Sequence, residues 1–131
     1  MSCKISIETI PHDQQRYPTV GDWWFDADGT LKIKVSEMGN PDYEFLVGLH
    51  ELVEVWLCKK RGITDEQVTA FDTQFEKDRE AGLHGEDDEP GEDPAAPYKN
   101  EHLVAISVEA GVCAALGISW KEYLDALYAL P

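Results

Sequence analysis

The sequence predicts an α+β fold, a small N-terminal antiparallel β-meander packed against about four helices. Three observations predict it. Apolar and polar residues alternate in short runs up to residue 36. An Asp28-Gly29 pair separates two of those runs and suits a tight hairpin turn. Beyond Asn40-Pro41 the period changes to that of helices, and the segments end in cap residues. The chain reads as one domain over 1–131, β-rich over 1–36 and helical over 43–131, with an acidic loop at 82–98.

The elements follow in order. Lys4-Ile5-Ser6-Ile7-Glu8 alternates as a strand does, and residues 11–18 then form a connecting loop between two prolines. Asp22-Trp23-Trp24-Phe25 and Leu31-Lys32-Ile33-Lys34-Val35 make the hairpin. With Asp28-Gly29 as its loop, Trp24 faces Ile33 and Trp23 faces Lys34. The first helix runs from Tyr43 to about Lys60, closed by Lys59-Lys60-Arg61-Gly62, basic residues followed by glycine. Thr64-Asp65-Glu66-Gln67 is a capping box that opens a second helix with Val68, Phe71 and Phe75 on one face. A third helix spans about Asn100 to Leu116. Ser119-Trp120-Lys121-Glu122, another capping box, starts the last.

Charge and composition narrow the classes of function. The net charge of -15 repels phosphate backbones and anionic membrane surfaces, so no nucleic-acid or membrane partner is expected. No run is apolar enough to span a bilayer, and MSCKISIETI lacks the basic start and apolar stretch of a signal peptide. The cysteines Cys3, Cys58 and Cys113 lie far apart and form no C-x-x-C pair. A reduced, cytoplasmic protein is expected, without a disulfide framework.

The first helix carries LHELVEVWLC, residues 49–58. Phe45, Leu49, Leu52 and Trp56 share one side, widened by Leu46, Val53 and Leu57. His50 and Glu54 stand together one turn apart, with Val47 and Cys58 in the same sector. Apolar residues on nearly every other side predict burial, and a buried carboxylate needs an ionic partner or a metal. A histidine and a glutamate at this spacing can grasp one cation. Glu51 projects beside them, where a base acting on water would sit.

His50-Glu51-Leu52-Val53-Glu54 resembles the H-E-x-x-H motif of the zincin metallopeptidases, with glutamate at the second histidine position. The layout of residues 30–60, an edge strand leading into a helix, is also similar. The resemblance implies that His50 and Glu54 bind zinc and that Glu51 is the general base. It further implies hydrolysis of a peptide or amide bond in a peptide or protein substrate.

The third helix supplies a further candidate. His102, Ile106, Glu109 and Cys113 form a stripe on it at spacings of 4, 3 and 4. His50, Glu54 and His102 then make a His₂Glu set for one divalent metal, zinc by expectation, with a position left for water. In the gluzincin branch the later helix gives glutamate, so two positions are exchanged here. Glu109, two turns from His102, is assigned to orienting a ligand or to a second metal. Glu101 is expected to face solvent, His12 and His84 to be loop residues, and Cys58 and Cys113 to be core thiols.

Two other functions compete. MazG-like nucleotide pyrophosphohydrolases hold magnesium with E-x-x-E and a later E-x-x-D, which Glu51-Leu52-Val53-Glu54 and Glu122-Tyr123-Leu124-Asp125 resemble. Magnesium chemistry leaves both histidines unexplained. The third reading is a non-enzymatic, metal-stabilised acidic protein that binds another protein, with Glu86–Asp93 as a contact loop.

Overall fold

The computed structural model describes residues 3–131. The part of the N-terminal reading that falls on Met1 and Ser2 lies outside them. Three strands, β1 (Ile5–Ile10), β2 (Gly21–Phe25) and β3 (Leu31–Ser36), precede four helices. These are α1 (Pro41–Lys60), α2 (Asp65–Glu80), α3 (Lys99–Ala115) and α4 (Trp120–Tyr128). The α+β class and the helix order are as predicted.

The strand pairing differs from a meander. The sheet order is β1-β3-β2, with β2 antiparallel to β3 and β1 parallel to it. The reason lies in β3, whose Leu31, Ile33 and Val35 are fully buried. This most deeply buried strand takes the centre, and the linker at 11–20 carries the chain around its end. Two strand spacings, about 10 Å, are well within the reach of such a linker. Gln15 and His12 tie the linker to Ser36 at 3.1 and 2.8 Å.

The hairpin is offset by one residue from the predicted register. Trp23 pairs with Ile33 and Trp24 with Lys32. Asp26 N–H donates to Thr30 O, so three residues turn the chain, with Gly29 at φ +85°. A type I turn ended by a left-handed glycine is the standard three-residue solution. The offset exchanges faces: Trp23 enters the core, and Trp24 lies on the outer face under the Arg16 guanidinium, 4.3 Å from its ring centroid.

Helix α1 begins at Pro41, two residues earlier than predicted, because Asn40 Oδ1 accepts from the N–H groups of Asp42 and Tyr43. It lies between the sheet and α3. Gly48 lets it approach the sheet: a Cβ there would sit 3.3 Å from Ile7 Cγ2. Its buried face holds Leu46, Val47, Val55 and Cys58 together with Glu54. The side with Phe45 and Trp56, read as the apolar face, is the outward one, at 55% and 37% exposure. The helix is apolar nearly all round, so its own pattern did not select a face. The sheet and α3 did. No helix among the described residues is long and apolar enough to cross a membrane.

Thr64 and Gln67 complete the predicted capping box of α2. Ser119 Oγ caps α4 by accepting from Glu122 N–H. Cys58 and Cys113 are buried free thiols, and Cys3 is exposed.

Candidate metal centre

The two predicted polar stripes meet in the interior. Helices α1 and α3 pack side by side, and His50, Glu54, His102 and Glu109 converge between them. Glu54 Oε2 is the hub. It accepts from His50 Nε2 at 3.1 Å and from His102 Nδ1 at 2.8 Å. One donor atom from each of these three residues lies within 4.8 Å of the others. Each histidine uses its remaining nitrogen on a second carboxylate. His50 Nδ1 donates to Glu109 Oε1 at 2.7 Å, and His102 Nε2 to Glu89 Oε2 at 3.2 Å.

Charge follows from this geometry. Burial disfavours the imidazolium of His50, yet Glu109 and Glu54 hold its pKa well above the ordinary value. His102 is likewise opposed by burial and raised to about 9 by Glu54 and Glu89. Burial pushes Glu54 up, but the two imidazolium donors bring it down to about 2. Glu51 behaves oppositely. Burial and the charge of Glu54 push its carboxyl up to about 8.

Glu51 lies beside β2. A Cβ on Gly21 would come within 2.7 Å of Glu51 Oε1, so glycine is the residue that leaves room for it. Glu51, His50, Glu54 and His102 all border a cavity of about 590 Å³, with Tyr17, Asp72 and Trp120 on its walls. That volume suits a small-molecule or peptide-side-chain ligand.

The donor set fits a small divalent ion. Tetrahedral ligands at 2.0–2.1 Å from zinc stand roughly 3.3 Å apart. The two hub contacts are a few tenths of an ångström shorter, so a modest separation of the side chains would admit an ion. The ion would replace one proton on each imidazole, which leaves the buried charge unchanged. Glu109 and Glu89 would then fix the tautomer and orientation of each ligand.

Comparison with family models, curated proteins and solved structures returns no match for this chain.

The remaining candidates are placed as follows. Glu109, assigned to orienting a ligand or to a second metal, contacts His50 across the helix pair. Glu101, expected in solvent, is buried at 4% exposure and accepts from Arg61 Nη1 at 2.5 Å. An arginine just past the end of α1 reaches it, a contact that helix periodicity cannot display. His84 stacks on Phe75 at 3.8 Å between centroids, and His12 bonds Ser36, both away from the centre. Glu122 and Asp125, the second half of the magnesium pattern, are exposed on α4, where Asp125 pairs with Lys121 at 2.7 Å.

The sequence reading missed Glu89. The acidic loop folds back onto the centre through Arg79, which donates to the carbonyls of Gly85, Glu86 and Asp88. Gly91 lies against the His102 ring, where a Cβ would come within 2.5 Å. Glu89 and Glu92 also form with His102 a second group of donor atoms within 4.8 Å of one another. The Gly and Pro residues flanking Glu89 and Glu92 are the one signal of a shaped loop in that acidic run.

Proposed function

We propose that the protein is a zincin-like, metal-dependent hydrolase acting on a peptide or amide bond, with His50, Glu54 and His102 as metal ligands. The observation that carries this reading is the hub at Glu54 Oε2. Two imidazole nitrogens from different helices are aimed at one carboxylate oxygen, and the opposite nitrogens are held by Glu109 and Glu89. A divalent ion bound there supplies Lewis-acid chemistry of the kind used in amide hydrolysis.

Glu51 is the proton carrier in this reading. Its carboxyl is raised to about 8 by burial and the charge of Glu54, so the ionised form that accepts a proton grows as pH rises toward 8. It takes a proton from the attacking water and delivers it to the leaving amine. The cavity holds the substrate, and its many carboxylates disfavour phosphate-bearing ligands. That charge, with the outward position of Glu122 and Asp125, weighs against the nucleotide pyrophosphohydrolase alternative. The resting place of such a protein is the cytoplasm.

Elemental analysis of purified protein tests the metal, with about one divalent ion per chain expected. A quenched fluorogenic peptide library tests the reaction. Glu51→Gln should retain the ion and lose hydrolysis. A protein that takes up no ion, or a Glu51→Gln variant with full activity, overturns the assignment.

One observation favours a second reading. All four imidazole nitrogens already have carboxylate acceptors, so the cluster satisfies itself with protons alone. In that reading the centre stabilises a non-enzymatic acidic protein that engages another protein. Wild-type protein that binds an ion but cleaves nothing would belong there.

A further inference from the structure

Helix α4 contributes two side chains to the centre that its sequence pattern did not single out. Tyr123 O–H donates to Glu109 Oε2, and Tyr128 O–H donates to Glu89 Oε1 at 3.0 Å. In each case the glutamate's other oxygen accepts from a histidine. Two chains of the same kind result. Tyr123, Glu109 and His50 form one, and Tyr128, Glu89 and His102 the other. Both end on Glu54 Oε2. The tyrosines lie five positions apart on a nine-residue helix, and each uses its only donor on a glutamate already committed to the centre.

The chains have a chemical consequence. A carboxylate has two oxygens and rotates freely unless both are engaged. With the tyrosine on one oxygen, the other is held at the outer imidazole nitrogen. Were an ion to displace the two inner protons, His50 would keep its proton on Nδ1 and present Nε2 inward, and His102 would keep its proton on Nε2 and present Nδ1 inward. The two histidines thus offer opposite nitrogens, and each tautomer is enforced by its own chain.

We infer that Tyr123 and Tyr128 are positioning residues of the metal centre, which set its affinity for the ion by fixing the two ligand histidines through Glu109 and Glu89. This rests on the metal reading above. The two chains differ in exposure: Tyr123 is fully buried, while Tyr128 is 42% exposed and water can replace its hydroxyl. Tyr123 therefore carries the larger effect.

The test uses Tyr123→Phe, Tyr128→Phe and the double variant, which keep each ring and remove only the hydroxyl. Zinc Kd is measured by competition with a chromophoric chelator, and the visible spectrum of the cobalt-loaded protein reports ligand arrangement. Tyr123→Phe should weaken zinc binding by about 5-fold, Tyr128→Phe by about 2-fold, and the double variant by about 10-fold, the low end of the range for losing a direct partner of a metal ligand, since each tyrosine acts one hydrogen bond further out. The cobalt spectrum should shift in Tyr123→Phe. Melting of the metal-free variants separates packing from positioning, since a purely structural role lowers their stability and leaves zinc Kd unchanged. Tyr128→Phe, at the surface, stays folded whatever happens to Tyr123→Phe. Wild-type protein that binds zinc, with variants of equal Kd and unchanged cobalt spectra, overturns the inference and leaves the metal reading standing. Wild-type protein that binds no zinc overturns the metal reading itself.

Discussion

Replacing Gly91 by alanine adds one methyl group at the contact between the acidic loop and the centre. That methyl would lie 2.5 Å from His102 Cγ and Nδ1 and 2.7 Å from Cδ2. Carbon contacts settle at about 3.5–4.0 Å, so the loop and the ring must part by about 1 Å. The struck atoms include Cγ, the root of the imidazole, so rotation of the ring gives little relief. Overpacking of this kind costs about 1–3 kcal/mol. For a chain of this size that corresponds to a fall in Tm of roughly 4–12 °C. The displacement also moves Glu89 away from His102 Nε2, so zinc Kd should rise by about 10-fold or more. Thermal melts with and without zinc measure both effects. Gly85→Ala is the comparison: it lies in the same loop, and its Cβ would meet only Asp88, at 3.4 Å and beyond. It should melt and bind as wild type does. If Gly91→Ala also behaves as wild type, the loop is not docked on His102, and the assignment of Glu89 falls with it.

Other perturbations have distinct outcomes. Asp72, bonded by Tyr98 O–H, has its carboxyl raised from 3.8 to about 7, chiefly by burial. A carboxyl raised on folding contributes stability below its unfolded pKa and loses it as pH rises through the folded one. Asp72→Asn, which keeps an acceptor for Tyr98, should therefore match wild type near pH 4 and be the more stable protein at pH 9 in urea melts. A lower stability than wild type at pH 9 would contradict the burial of that carboxyl. Arg61→Ala removes the partner of buried Glu101 and should cost about 1–3 kcal/mol. Adding Glu101→Gln should recover part of that loss, and a more severe double variant would refute the pairing. Gly29→Ala places a side chain at φ +85° and should cost about 1 kcal/mol, measurable as a lower urea midpoint.

Much of the centre was legible because helices repeat. His50 and Glu54 are one turn apart, and their polar sector contradicted its apolar surroundings. His102 stood out on α3 for the same reason. What periodicity hides is the azimuth at which two helices meet. That angle decides that Glu109 reaches His50, and that the Phe45–Trp56 side of α1 faces outward. Glu89 and Arg61 act from a loop and a helix end, where no repeat exists to mark a direction. In the sheet, alternation located β1 and β3 and the Asp28-Gly29 turn placed β2 before β3, but neither gave the order in which the strands pair. The strand order followed from the burial of β3, and the hairpin offset from a glycine that serves equally in two-residue and three-residue turns.

The centre joins residues that are far apart along the chain. His50 and Glu109 are separated by 59 positions, Glu54 and His102 by 48, and Tyr128 and Glu89 by 39. Closing such loops is entropically costly, and the return comes only once every segment has arrived. On this ground the cluster is expected to complete after the local helices and the β2–β3 hairpin, which φ-values at His50 and Glu109 near zero would bear out. Interactions absent from the folding transition state act on the escape rate instead. An ion held between α1 and α3 would work as a kinetic clasp, lengthening the lifetime of the native chain far more than it hastens its formation.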